Sequence, residues 1–229
     1  MLVLSGGAAA AVVRAVQAQF TQRTGRSIEG TFSAVGQMRD RLVGGAPCDL
    51  VILTRPLVTQ LIESGHVVAG SARSLGLVKT GIAVRSGTPH PPVHTREQLH
   101  AAFSAARGIY FPDPEKATAG IHFMKVLKAL GLDQSLQARF RPYPNGATAM
   151  GEMAGSPEDG LIGCTQVTEI NYTPGVDLVG ALPPEFELNT DYTLGICTRA
   201  EHPQDALVLA DLLAGPASEA VRRRGGFEF

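Results

Sequence analysis

The stretch LVLSGGAAAAVVRAVQAQFTQRTG (residues 2–25) opens the chain with an apolar run, a Ser-Gly-Gly turn and apolar side chains at helical spacing. Gly25 stands where a glycine commonly ends a helix. The following residues predict a strand at 28–32, a helix at 37–43 and a buried strand at 49–53. Strand, helix, strand, helix and strand in this order are typical of a parallel sheet with right-handed crossovers. The sequence therefore predicts an α/β fold.

The same rhythm continues along the rest of the chain. Its predicted elements are helices at 56–64, 96–106, 119–130, 147–153 and 203–223, and strands at 75–85, 108–111, 160–164, 176–178 and 190–198. We expect two lobes with mostly parallel sheets, residues 1–79 plus 190–229 and residues 80–189. Ligands of such sheets bind where the carboxyl ends of strands and the N-termini of helices gather, so we expect a ligand cleft between the lobes.

The composition and charge of the chain exclude several classes of protein. The 229 residues include 20 Lys and Arg against 21 Asp and Glu, so the formal charge is −1 and no basic face for nucleic acid is indicated. Hydrophobic residues make up 44% of the chain and charged residues 18%, which is too apolar for a disordered chain. The apolar stretches are too short for a spanning helix. We therefore expect neither nucleic acid as a partner nor direct membrane insertion.

No motif for a metal or a cofactor is present in the sequence. Cys48, Cys164 and Cys197 show no CxxC spacing and cannot all pair within the chain. The histidines show no metal-ligand spacing, and the glycine pair near the start is not followed by the GK[ST] of a Walker loop. We expect no metal and no cofactor.

The first residues also bear on the location of the protein. No basic region precedes the opening apolar run, and a strand interpretation continues directly into the fold. On the sequence as given we expect a cytoplasmic protein. A secreted parent whose signal was removed, and hence a periplasmic location, is the alternative.

Four segments of the chain resemble one family of bacterial proteins. They are LVLSGGAAAAVVRAVQAQFTQRTG (2–25), TFSAVGQMRDRLVGGAPCDLVIL (31–53), FPDPEKATAGIHFMKVLKALG (111–131) and GPASEAVRRRGGF (215–227). Over essentially its whole length the chain looks like the type II periplasmic solute-binding proteins, in particular their molybdate-binding branch. This resemblance implies a two-lobed α/β fold of the type II periplasmic-binding-protein kind and a small anionic ligand. If the protein is exported, it also implies an ABC permease as a partner.

The ligand positions of the molybdate-binding branch are not retained. In that branch, serine hydroxyls after the first and second strands and a tyrosine on a late turn hold the oxyanion. Here Ala8 occupies the first position, and Val35 or Gly36 the second. The late turn, GLIGCTQVTEI, places Gly163 or Cys164 at the third. These departures weaken molybdate and tungstate as ligands and leave another oxyanion or a small carboxylate.

Loops after the predicted strands supply the candidate ligand-binding residues. They are Ser5, Gly6, Gly7, Ser33, Ala34, Val35, Gly36, Arg55, Thr118, Ala119, Gly120, Cys164, Thr165 and Gln166. Backbone N–H groups at helix starts bind anions, hydroxyls and amides add hydrogen bonds, and a guanidinium holds a carboxylate through two bonds. Each residue also has a structural explanation as a tight turn, a helix cap, a core residue or a solvated charge.

Some of these residues carry more specific expectations. Thr118 is interpreted as the N-cap of its helix, and Gly120 as a residue that leaves the first turn open to a bound group. Cys164 is interpreted as a small apolar filler rather than a nucleophile, and Cys48 as a core residue. The arginines at 222–224 are interpreted as a solvated run at a helix C-terminus.

The sequence leaves two functions open. The first is a solute-binding protein that grips a small anion by hinge closure. The second is a cytoplasmic isomerase or dehydratase that acts on a small di- or tricarboxylate. In that enzyme His122 would be the general acid or base, because imidazole titrates near neutral pH. A purely structural role for this histidine is the alternative.

Overall fold

The computed structural model describes residues 1–229 and divides them into two compact units. Unit 1 comprises Met1–Leu77 and Thr190–Phe229, and unit 2 comprises Val78–Asn189. The chain leaves unit 1 within strand β4 (Arg73–Arg85) and returns to it within strand β9 (Asn189–Ile196). The sequence prediction put these crossings after residue 79 and before residue 190.

Unit 1 is built on parallel strands that alternate with helices. Its elements are β1 (Leu2–Gly6), α1 (Ala10–Thr24), β2 (Glu29–Ser33), α2 (Val35–Val43), β3 (Leu50–Thr54), α3 (Arg55–Glu63), β9, α8 (Pro203–Ala214), α9 (Glu219–Gly225) and β10 (Phe227–Glu228). Strand β1 pairs in parallel with both β2 and β3, and β9 runs antiparallel to β3. Strand β3 is buried along its whole length, as the continuous apolar run predicted.

Unit 2 repeats the arrangement around three parallel strands. Its elements are α4 (Arg96–Ala105), β5 (Gly108–Pro112), α5 (Thr118–Ala129), β6 (Phe140–Tyr143), α6 (Gly146–Gly155), β7 (Leu161–Gln166), α7 (Val167–Asn171) and β8 (Val176–Ala181). Strand β5 pairs in parallel with β6 and β7, while β4 runs antiparallel to β7 and β8. An aromatic and aliphatic core, in which the Phe123 ring contacts the rings of both Phe103 and Phe111, packs α4 and α5 against this sheet.

Short-range patterns in the sequence predicted most of these helices and strands. Gly25 ends α1 in the left-handed region at φ 71°, as predicted for a C-cap glycine. Strands β6 and β10 and the short helix α7 were not predicted, because each is too short to show a period. The strand predicted at 160–164 is longer in the structure, where Thr165 and Gln166 form the end of β7. None of the helices has the length and apolar character that crossing a bilayer demands.

The single final helix predicted at 203–223 is wrong. Helix α8 ends at Ala214 because Gly215 turns extended and Pro216 lacks a backbone N–H. This break brings Arg222 inside, where it is 5% exposed and donates to the carbonyl oxygens of Ala214 at 2.9 Å and Leu75 at 2.8 Å. Arg222 therefore does not belong to a solvated run. It ties the C-terminal helix to the start of β4.

Candidate functional site

In unit 1, the carboxyl ends of β1 and β2 lie side by side. Gly6 pairs with Ser33 in the parallel register, and each is followed within two residues by a helical turn. A Cβ added to Gly6 would lie 2.7 Å from Val35 Cγ1 and 3.0 Å from Tyr192 Cε1. The glycine is therefore needed for the close approach of these two side chains.

The side chains at this edge supply few hydrogen-bond donors. Ala8, Ala34 and Val35 are buried and apolar. Ser5 is fully buried, and its hydroxyl donates to the Gly6 carbonyl oxygen at 2.8 Å. Gly7 begins a short 3₁₀ turn, and Gly36 lies in the first turn of α2. An anion at this edge would meet mainly backbone N–H groups.

Arg55 is the first residue of α3 and has a carboxylate partner inside unit 1. Its Nε donates to Asp191 Oδ2 at 2.6 Å. The other carboxylate oxygen of Asp191 accepts from the hydroxyls of Ser74 at 2.7 Å and Thr193 at 3.0 Å. The guanidinium is thus held in a network, and more than half of its side chain stays exposed.

In unit 2, helix α5 starts differently from the prediction. Ala117 is the N-cap, with extended backbone, and Thr118 is the first helical residue, so the expected capping by Thr118 is wrong. A Cβ on Gly120 would lie 2.3 Å from the Pro112 carbonyl oxygen and 2.2 Å from that of Asp113. Gly120 is therefore explained by close packing of the helix on the preceding loop, and not by an open first turn. Ala119 beside it is buried.

The helices that follow the parallel strands β1, β2, β3 and β5 begin without a side-chain cap. This holds for the 3₁₀ turn before α1 and for α2, α3 and α5. Helices α7, α8 and α9 also start without a side-chain cap, whereas Asn145 Oδ1 caps α6 by accepting from the Thr148 N–H at 2.8 Å and Thr95 caps α4 in the same manner. Uncapped first turns leave backbone N–H donors for another acceptor, and the helix dipole favours a negatively charged one.

A buried carboxylate lies where β7 ends, and sequence analysis did not identify it. Glu169 Oε2 accepts from the Thr165 hydroxyl at 2.6 Å, and its carboxylate also accepts from the backbone N–H groups of Gly146, Ala147 and Gln166. Burial raises the pKa of Glu169, although these hydrogen bonds oppose the rise. The sequence does contain a signal for this contact. Gln166 is the N-cap of α7 and Glu169 stands three residues later, which is the spacing of a capping box.

Two buried hydroxyls near the same end of β7 have no hydrogen-bond partner in the protein. Thr80 and Thr168 are each 1% exposed, and neither Oγ1 finds a donor or acceptor. Thr80 pairs with Gln166 across the β4–β7 register, and Thr168 is the second residue of α7. Because leaving a buried polar atom unsatisfied is unfavourable, such atoms in a native fold call for a further partner.

Cys164 and Gln166 lie in the last half of β7, with different surroundings. Cys164 is completely buried in the aromatic core, and desolvation raises the pKa of its thiol. This environment fits a small apolar filler and gives the sulfur no path to a ligand. Gln166 is also buried, but it terminates the strand beside Thr80.

His122 projects from the second turn of α5. Its Nε2 lies 2.7 Å from the Phe186 carbonyl oxygen, so Nε2 carries the proton and donates it. In the neutral ring the basic nitrogen is then Nδ1. The contact fixes the ring between α5 and the turn at Pro184–Phe186, which is sufficient for a structural role and suits a base that must be held in place.

Comparison with known proteins identifies the family. A model of the bacterial extracellular solute-binding proteins matches residues 1–228. The chain belongs to this family. It is 27% identical to an aconitate isomerase of a Pseudomonas species over 98% of this chain and 86% of that protein. It is 24% identical to the molybdate-binding protein ModA of Escherichia coli K12, over 96% of this chain and 86% of that protein.

Solved structures show the same architecture. The periplasmic molybdate-binding protein of Azotobacter vinelandii matches with a TM-score of 0.82 over 100% of this chain and 99% of that one, at 18% identity. The expected α/β fold of the type II periplasmic binding proteins is therefore confirmed. At this identity the likeness concerns the fold, and the ligand has to be inferred from the chain's own residues.

Proposed function

We propose that this solute-binding protein takes a small organic anion, a di- or tricarboxylate, at the carboxyl edges of its parallel strands. The observation that carries the proposal is the set of uncapped helix starts after β1, β2, β3 and β5. Their backbone N–H groups are suited to carboxylate oxygens. The unpartnered hydroxyls of Thr80 and Thr168 add donors at the end of β7.

Chemistry at the unit 1 edge favours a carboxylate over molybdate. The positions that hold serine hydroxyls in the molybdate-binding branch are occupied by Ala8 and by Val35 or Gly36, and both Ala8 and Val35 are buried. A compact tetrahedral oxyanion needs donors that surround it closely, and alanine and valine side chains offer none. A larger anion with separate carboxylates can use helix starts that lie further apart.

Two physiological roles follow from such binding. In an exported protein, the bound anion would pass to an ABC permease. In a cytoplasmic protein, the same site would serve an enzyme or a sensor. Both roles use the same ligand-binding residues, so the ligand is the first property to establish.

The second candidate function is isomerisation of an unsaturated tricarboxylate, and the 27% identical aconitate isomerase favours it. Such a reaction needs a base that removes a proton from a carbon next to a carboxylate. The proton then returns at the far end of the allylic unit, so that the double bond shifts without any oxidation. His122 Nδ1 would carry this proton while Nε2–H stays bonded to Phe186.

A thermal-shift screen tests the binding proposal. The purified protein is heated with molybdate, tungstate, sulfate, citrate, cis-aconitate and trans-aconitate, because a ligand that binds only the folded state raises the unfolding midpoint. We expect a shift with tricarboxylates and none with molybdate or tungstate. A shift confined to molybdate and tungstate would overturn the carboxylate assignment.

Proton NMR of the aconitate isomers tests the second candidate. The protein is incubated with pure trans-aconitate, and the signals of the two isomers are followed with time. For an isomerase we expect the rate of interconversion to rise with protein concentration. We also expect the product to take up deuterium from deuterated water. Binding without interconversion would leave the solute-binding role.

A further inference from the structure

Two cysteines far apart in sequence meet at one end of unit 1. Cys48 lies just before β3, and Cys197 lies just after β9, the strand that pairs antiparallel with β3. The Cys197 N–H donates to the Asp49 carbonyl oxygen at 2.9 Å, which fixes the two backbones beside each other. The Cys48 and Cys197 thiols interact with one another and no disulfide joins them, and Cys48 Sγ also donates to the Leu50 carbonyl oxygen at 3.2 Å.

Both thiols line a pocket in the surface of unit 1. The pocket has a volume of about 310 Å³, and His66 and Arg199 contribute to its wall together with the two cysteines. Each cysteine is nearly buried, with 5% of Cys48 and 3% of Cys197 exposed, so the pocket is the route by which a small molecule reaches the sulfur atoms. A molecule the size of hydrogen peroxide fits this space.

We propose that Cys48 and Cys197 form a redox site at which hydrogen peroxide, entering through this pocket, converts the two thiols into a disulfide. The site lies wholly in unit 1 and uses none of the candidate ligand-binding residues. Its role is therefore separate from the proposed anion binding.

The roles of the two sulfur atoms follow from their surroundings. The hydrogen bond from Cys197 is the largest cause that holds the pKa of the Cys48 thiol below its ordinary value. The pKa of Cys197 is raised by the same hydrogen bond and by burial. Cys48 is accordingly the thiolate that attacks first, and Cys197 is the thiol that resolves the product.

The reaction balances as two successive displacements. The Cys48 thiol ionises, its thiolate attacks one oxygen of hydrogen peroxide, and the O–O bond breaks. A sulfenic acid forms, and the hydroxide that leaves becomes water by taking up the proton that the Cys48 thiol released. The Cys197 sulfur then attacks the Cys48 sulfur, the S–O bond breaks, and the departing hydroxide takes the Cys197 proton. Two thiols are oxidised to one disulfide, and one hydrogen peroxide is reduced to two waters.

Cys164 provides an internal control. It is completely buried in the core of unit 2, burial raises its pKa, and neither of the other cysteines belongs to that unit. Peroxide that reached cysteines through general unfolding would oxidise Cys164 as well. Selective loss of the other two thiols therefore reports the native site.

Peptide mapping of the whole folded protein tests the proposal. The protein is treated with a small molar excess of hydrogen peroxide, free thiols are blocked, and the digest is analysed by mass spectrometry without reduction. We expect a peptide pair linked through Cys48 and Cys197, its loss on treatment with dithiothreitol, a monomer on non-reducing gels, and an unmodified Cys164. Absence of the linked pair, or equal modification of Cys164, would overturn the proposal.

A Cys197→Ser variant sharpens the assignment of roles, because the serine hydroxyl can still donate a hydrogen bond to Cys48 but cannot form a disulfide. Without the resolving thiol, the Cys48 sulfenic acid should persist and be trapped by dimedone, whereas a Cys48→Ala variant should give no dimedone adduct at Cys197. An adduct at Cys197 in the latter variant would contradict the order of attack. The mapping of the unsubstituted protein stays informative even if either variant folds poorly.

Discussion

The carboxyl edges of the parallel strands differ between the two units in what they offer a ligand. In unit 1, buried apolar side chains such as Val35 surround the edge, and the nearby Arg55 already has a carboxylate partner in Asp191. In unit 2, a buried carboxylate organises the starts of two helices, and buried hydroxyls remain without partners. Taken separately, the edge of unit 1 offers an anion mainly backbone N–H groups, whereas the edge of unit 2 also offers side-chain hydroxyls.

Gly146→Ala should have the largest effect on this arrangement. An added Cβ would lie 1.9 Å from Thr165 Oγ1 and 2.1 Å from Glu169 Oε2, so the buried carboxylate must move. We expect a loss of about 3 kcal/mol or more in the free energy of unfolding, from overpacking and from broken hydrogen bonds together. Urea denaturation measures it.

The same helix contains a matched control for this substitution. Gly151 has no atom within 4 Å of its added Cβ and lies exposed in α6. Gly151→Ala should therefore stabilise the protein by about 0.5–1 kcal/mol through helix propensity alone. Equal effects of the two substitutions would contradict the packing described for Gly146.

Glu169→Gln tests the buried carboxylate itself. The amide replaces one acceptor oxygen with a donor, and we expect a loss of about 1–3 kcal/mol in the free energy of unfolding at neutral pH. Thr165→Val removes the hydroxyl that donates to this carboxylate and should cost about 1 kcal/mol by the same measurement.

The pH dependence of stability distinguishes the effect of the negative charge of Glu169 from the effect of the size and shape of its side chain. Because the pKa of Glu169 is higher in the folded protein than in the unfolded chain, protonation of Glu169 stabilises the fold. This stabilisation is fully present below the unfolded pKa of glutamate and is lost as the pH rises through the folded pKa. The unfolding free energy of the wild type should thus fall, relative to Glu169→Gln, as the pH increases from the acid range. A difference that does not change with pH would show that the folded pKa is not raised.

His122→Ala should have a moderate effect on stability. Loss of the hydrogen bond to the Phe186 carbonyl oxygen is expected to cost about 1 kcal/mol. If the protein is an isomerase, turnover should disappear while tricarboxylate binding is retained. His122→Gln can keep a donor for Phe186, so restored stability without restored turnover would separate the positioning contact from proton transfer.

Thr80→Val and Thr168→Val should leave the fold almost unchanged. Each removes a hydroxyl that has no partner, so the change in unfolding free energy should stay within about 0.5 kcal/mol or favour the folded state. Affinity for the tricarboxylate should fall by about tenfold when a hydrogen bond to a charged group is lost. Wild-type affinity in both variants would show that these hydroxyls do not contact the ligand.

Thr118→Val should have the smallest effect on stability. Loss of a true N-cap costs about 1 kcal/mol, but here the cap is Ala117 and Thr118 is already helical. The expected change in the unfolding free energy is within about 0.5 kcal/mol. A loss near the full value of a cap would restore the capping role that the sequence suggested for Thr118.

The parts of the fold that local signals determine were predictable from sequence. The period of α1, its C-cap at Gly25 and the continuous apolar run of β3 each depend on neighbouring residues alone. Arg222 was misplaced because its partners at Leu75 and Ala214 are brought to it by tertiary structure. No spacing rule relates such distant positions.

The residues of the candidate site likewise include some that the local sequence indicated and some that only the tertiary structure brings together. Candidates such as Gly6 and Thr118 were chosen by their place near the ends of predicted strands, and their contact with a ligand stays a prediction. The carboxylate of Glu169 was missed because its donors Gly146 and Ala147 begin a different helix. Likewise, the contact between Cys48 and Cys197 depends on the antiparallel pairing of β3 with β9, which the sequence does not state.

Isothermal titration of the wild-type protein with trans-aconitate and with molybdate distinguishes the two classes of ligand. We expect saturable binding of one tricarboxylate per chain, weakened in Thr80→Val, and no heat of binding with molybdate. Saturable binding of molybdate with no response to aconitate would contradict this expectation.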